Sequence, residues 1–160
     1  MLPAGAGVLL RGAAPAVRRA MTRLALARRL ALLVGSEGRA ALAAGAGLHV
    51  PDRAPCRHLL PFLLARRRGW PAARLSLAVH GRAGIARARR LGADLAFVSP
   101  AFPTASHPGA PALGPLRWAA LARGLRQGMA VALGGVSPAS AGRLPRRRVT
   151  GLAAIGGLAR

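Results

Sequence analysis

The feature that most constrains this chain is a recurrence of short, nearly unbroken apolar runs, each closed by glycine, proline or a polar residue. They lie at 7–11 (GVLLR), 30–35 (LALLVG), 47–50 (GLHV), 74–80 (RLSLAVH), 95–100 (LAFVSP), 129–135 (MAVALGG) and 151–157 (GLAAIGG). All are too short for a helix, and their lack of alternation is how strands buried on both faces read. Strands of that kind belong to parallel sheets covered by helices. Helical segments fall between them. Residues 16–29 place Val17, Met21, Leu24 and Ala25 on one side and arginines on the other, an amphipathic period. Weaker helices are expected at 38–44 and 55–67, and clearer ones at 81–91 and 115–127, the last with Pro115 at its first position. Ser137-Pro138 reads as a helix cap followed by a first-turn proline, opening a helix over 137–144.

Seven strands alternating with helices predict an α/β fold with a parallel sheet, read as one domain over 1–160. Alternation alone does not separate a barrel from an open sheet. A (β/α)8 barrel needs an eighth strand and typically about 250 residues. Read as a TIM-barrel type, the chain lacks the first strand and the last helix. The opening Leu2-Pro3-Ala4-Gly5 reads like the middle of a domain, and the reading frame is expected to begin upstream of Met1.

Composition narrows the partners. Hydrophobic residues are 52% of the chain and aromatics 3%, so the core is built from Ala, Leu, Val and Ile. All 25 basic residues are arginine, against three carboxylates, for a formal charge of +22. Such a surface attracts polyanions non-specifically and is sensitive to salt. The arginines are spread over the expected helices, and Trp70 and Trp118 stand apart from them as core or rim residues. A nucleic-acid binder gathers its basic residues with stacking aromatics, so that role is the lesser alternative. Cys56 is single, which excludes a disulfide framework or a thiol metal cluster. No apolar run reaches the roughly 18 residues of a membrane span. The first residues also lack a leader's positive start, so a cytoplasmic protein is expected.

Two stretches carry chemistry. Residues 99–114 (SPAFPTASHPGAPALG) follow a strand directly and run for about a dozen residues without helical pattern, which is unusual unless functional. The second is a pair of glycine doublets at strand ends, Gly134-Gly135 and Gly156-Gly157. Glycine there exposes main-chain amides with no side chain in the way, and a phosphate is the natural guest. Tight turns also call for glycine, so one doublet alone would say little.

The stretch 80–158 resembles the thiamine-phosphate synthase and thiazole tautomerase superfamily of (β/α)8 barrels. The likeness rests on Leu91-Gly92-Ala93-Asp94, on Ser99-Pro100-Ala101-Phe102-Pro103-Thr104, on Pro108-Gly109 and Leu113-Gly114, and on Ala132-Leu133-Gly134-Gly135-Val136. Upstream, residues 39–49 look like the family's approach to its fourth strand. The resemblance implies a transferase of thiamine biosynthesis. It would join hydroxymethylpyrimidine diphosphate to a thiazole phosphate and release diphosphate, with Mg2+ and cationic groups stabilising the leaving charge. It implies that Thr104 and Ser106 are the hydroxyls of the diphosphate loop, beside His107 where the family has lysine. Gly134 and Gly135 would hold the thiazole phosphate, with Gly156 and Gly157 as the other part of the cradle. Arg11 alone answers the family's Gln-x-Arg-x-Lys signature as a phosphate ligand. The family's Asn-Asp pair falls on Gly35 and Ser36, and its second metal carboxylate near Ala54, which leaves Asp52 as the metal ligand. Phosphate-cradling glycines kept while metal ligands are replaced also fit a barrel of the same superfamily that binds phosphate without turnover.

Overall fold

The computed structural model describes residues 2–104, 109 and 111–155. Its elements follow the expected alternation: β1 (Gly7–Leu10), α1 (Pro15–Ala27), β2 (Ala31–Gly35), α2 (Gly38–Ala43), β3 (Gly47–Val50), α3 (Leu59–Arg67), β4 (Leu75–Val79), α4 (Arg82–Arg90), β5 (Leu95–Val98), α5 (Gly114–Arg123), β6 (Ala130–Leu133), α6 (Pro138–Ala141) and β7 (Gly151–Ala153). The chain divides into two compact units, Met1–Ser76 and Leu77–Arg160, with the division inside β4.

In the first unit β1, β2 and β3 are neighbours in chain order and parallel, with Leu9 beside Leu33 and Val34 beside Leu48. The Leu48 amide donates to Arg74 O, which ties β3 to the start of β4. Leu33, Val34, Leu48, Val50, Phe62 and Leu75 form its buried centre. In the second unit the Ser99 amide donates to Val79 O, tying the exit of β5 to the end of β4. β5, β6 and β7 then follow in order, again parallel. Its centre is Leu77, Val79, Val98, Ala132 and Trp118. With so few aromatics, close packing depends on small residues. A Cβ on Gly84 would sit 3.1 Å from Val79 Cα, so α4 lies almost directly on β4. Trp118 is fully buried and its indole N–H donates to Val98 O at 3.1 Å, fixing α5 against the end of β5. Trp70, by contrast, stands at the rim, about half exposed.

Besides small shifts at element ends, the structure departs from the sequence reading in three places. The helix expected from residue 55 begins at Leu59, because Arg57 and His58 are bonded to the preceding β2–α2 turn. The helix expected over 137–144 is a single turn, α6. On α1, the buried residue is the small Ala25, while Val17 and Leu24 of the anticipated apolar stripe stay exposed. No helix among the described residues is long and apolar enough to cross a membrane.

Candidate functional site

Parallel strands share one direction, so their carboxyl ends and the loops leaving them collect the residues able to meet a ligand. In the second unit those loops are β5–α5 and β6–α6, and the chain binds them together. The outgoing arm of the first is stitched to the end of β6, with the Ala101 amide donating to Leu133 O and the Phe102 amide to Gly134 O at 2.8 and 2.9 Å. Its base is closed by Leu113 N to Pro100 O and Gly114 N to Ala101 O. Thr104, half-buried, follows directly on this anchored arm.

Gly134 and Gly135 serve that docking. Both have positive φ, +88° and +62°. A Cβ on Gly134 would lie 2.9 Å from Pro100 Cα, and one on Gly135 2.3 Å from Pro103 O and 2.8 Å from the Phe102 carbonyl carbon. Only glycine permits both the turn and the contact. The doublet therefore packs one loop on another as well as baring main chain. Beyond it, Ser137 and Ser140 form a capping box, with the Ser140 amide held by Ser137 Oγ and the Ser137 amide by Ser140 Oγ. Ser140 Oγ also donates to Gly135 O at 2.9 Å. A one-turn helix with its leading amides so engaged has little dipole left for a ligand. The free main-chain donors at this place are therefore those of the 134–136 turn and not those of α6. Ser106, His107, Gly156 and Gly157 lie outside the described residues.

In the first unit Arg11 follows β1 and lies across the end of β2, where a Cβ on Gly35 would meet its Cγ at 3.6 Å. Gly35 is thus the floor beneath the arginine stem. Arg11 is near enough to act on His49, a buried β3 residue whose Nδ1 is 3.0 Å from Ser76 Oγ. Burial first, and the Arg11 charge second, push the His49 pKa down to about 4, so the ring stays neutral at ordinary pH. A cavity of about 260 Å3 opens at the ends of β1 and β2, lined by Gly12, Arg18, Gly35 and Glu37 among others.

The chain's three carboxylates decide what metal it could hold. Glu37 caps α2, accepting from the Arg39 and Ala40 amides at 3.3 and 2.6 Å, and also contacts His58 Nδ1. Burial raises its pKa, but the His58 bond and the two amides outweigh that and hold it below the ordinary value. The same corner is clamped by Gly38 N to Arg57 O and Arg57 N to Ser36 O. Asp94 precedes β5, at the amino end of its strand. Asp52, half-buried just past β3, is the acid left at a strand's carboxyl end. No group of three or more His, Cys, Asp or Glu able to hold a metal occurs among the described residues. A protein-built cage is absent there; one carboxylate suits a hard cation that takes its remaining ligands from water and substrate phosphate.

Sequence reasoning missed the Glu37–His58 contact, the His49–Ser76 pair and the stacking of Arg143 on Phe102. Each joins residues 21 or more positions apart in sequence, and no motif spacing signals such a pair.

Parallel strands alternating with helices, with anchored loops at the strand ends, define an α/β protein of the TIM-barrel-like kind. The family model for thiamine monophosphate synthase matches residues 13–158, and the chain belongs to that family. It is similar in structure to the thiamine phosphate pyrophosphorylase from Pyrococcus furiosus, with a TM-score of 0.69 and 19% identity over 93% of this chain and 70% of that one. That likeness shows the shared fold. No curated protein matches the chain significantly.

Proposed function

We propose that the chain is a (β/α)8-type transferase of thiamine biosynthesis, joining hydroxymethylpyrimidine diphosphate to a thiazole phosphate. Family membership supports the reaction class. The observation that carries the reading is the 134–136 turn, whose glycines cannot be replaced without moving the loop that carries Thr104.

The thiazole phosphate binds at the main chain of Gly134, Gly135 and Val136. The Thr104 hydroxyl of the second unit donates to the diphosphate; in the first unit, taken by itself, Arg11 is a cation suited to phosphate, since guanidinium binds it in a bidentate manner without help from metal. As diphosphate departs, the C–O bond to the pyrimidine methylene breaks and the electron pair leaves with oxygen. The resulting cation is captured by the thiazole nitrogen. Groups that already point at the developing negative charge lower the barrier without reorganising. Mg2+, when bound, would neutralise phosphate charge, and within the first unit Asp52 is the residue that would hold it.

The commitment of Glu37 to its helix cap favours a second reading, a family member that binds the thiazole phosphate without turnover. Incubating the chain with both substrates and Mg2+ and following thiamine phosphate by mass spectrometry separates them. Product that falls ten-fold or more in Thr104→Val supports the transferase. Saturable thiazole phosphate binding with no product supports the second reading, and no binding removes both.

A further inference from the structure

We propose that Arg143 is the side-chain cation of the 134–136 turn and sets its preference for a phosphorylated over an uncharged ligand. This rests on the reading above that the turn receives a phosphate.

Arg143 is tethered to the turn from two sides. On the main-chain side, its amide donates to Ser140 O at 3.1 Å, while Ser140 Oγ donates to Gly135 O at 2.9 Å. On the side-chain side, its guanidinium carbon lies 5.4 Å from the centre of the Phe102 ring. Phe102 is itself part of the turn's wall: its amide donates to Gly134 O, and its Cβ lies 2.8 Å from where a Gly135 Cβ would be. A long, exposed arginine is ordinarily spread over many rotamers. Stacking on a buried ring narrows them. The ring attracts the cation without cancelling its charge, and it leaves the N–H donors at the guanidinium edge open to an anion.

Among the described residues the charge has no carboxylate partner. The one acidic side chain in the second unit is Asp94, which precedes β5 at the amino end of the strand, whereas the 99–104 and 134–136 segments leave the carboxyl ends. The other donors at the turn are neutral amides, which favour a phosphate over an alcohol less strongly than a cation does. A fixed cation discriminates between them, because charge-assisted bonds to a dianion are the stronger kind.

The test is calorimetric titration of inorganic phosphate into the whole chain and its variants. Wild type is expected to bind at one saturable site, and Arg143→Gln to bind at least ten-fold more weakly with unchanged circular dichroism. Arg143→Lys is expected to recover part of the loss, and Phe102→Leu, which keeps the charge but removes the ring, to lose a few-fold. Arg89→Gln, an equal charge loss at an exposed position of α4, should stay within two-fold of wild type. Arg143→Gln binding like wild type overturns the inference and leaves the phosphate turn standing, as does an equal loss in Arg89→Gln, which would mark a diffuse effect of net charge. No binding by wild type overturns both.

Discussion

Replacing Gly135 by alanine tests whether the 99–104 arm really lies on the β6–α6 turn, and Gly92 provides a matched control. Both glycines have φ of +62°, but a Cβ on Gly92 meets nothing within 4 Å, whereas one on Gly135 comes to 2.3 Å from Pro103 O. The left-handed backbone costs an alanine about 1–2 kcal/mol at either site. Gly135→Ala must in addition push a hydrogen-bonded backbone aside, and overpacking of that kind costs about 1–3 kcal/mol more. The expected totals are thus about 1–2 kcal/mol for Gly92→Ala and about 2–5 kcal/mol for Gly135→Ala, a large share of the roughly 5–15 kcal/mol that holds a domain folded. With a urea slope of about 2 kcal/mol per molar, the two midpoints should differ by about 1 M. Urea unfolding followed by fluorescence of the buried Trp118 measures this directly. Equal midpoints would refute the packing described for the loop, and with it the reason for the doublet.

Three further outcomes follow from the same geometry. His49 has a folded pKa near 4 against 6.5 unfolded, so the unfolded chain takes up a proton first as the solution is acidified. Stability from the neutral ring is complete above pH 6.5 and lost progressively towards pH 4, by up to about 3 kcal/mol; the difference between wild type and His49→Gln in urea midpoint should shrink over that window. Glu37→Ala removes the α2 cap and should cost about 1–2 kcal/mol in thermal unfolding, with Glu37→Asp recovering part of it. Trp118→Phe leaves the buried Val98 carbonyl without its donor and should cost about 1–3 kcal/mol, read as a lower melting temperature.

Much of the fold was legible in the sequence because burial on both faces erases the alternation of polar and apolar residues, leaving a pattern that few other structures share. The run at 47–50 is β3 to the residue, and the others differ mainly at their ends. Where the reading failed, a tertiary contact had overruled local pattern. Pro55 looks like a helix start, yet Arg57 bonds back to Ser36, and His58 takes a left-handed conformation to make the turn. Ser137-Pro138 opens a helix as expected, but the helix ends after one turn. At the candidate site the glycine doublet and the proline-rich arm were visible as residues. Their mutual contact was not, since the absence of a Cβ reads alike for a turn, a ligand or a neighbouring backbone. Arg143 could not be singled out among 25 arginines without seeing the ring beneath it.

The most direct measurement is a titration of the 15N-labelled chain with thiazole phosphate, following the amide resonances of Gly134, Gly135 and Val136. These three are expected to shift together and saturate, while the unphosphorylated thiazole alcohol leaves them in place. Resonances that stay fixed while thiazole phosphate binds elsewhere, or that respond equally to the alcohol, would contradict it.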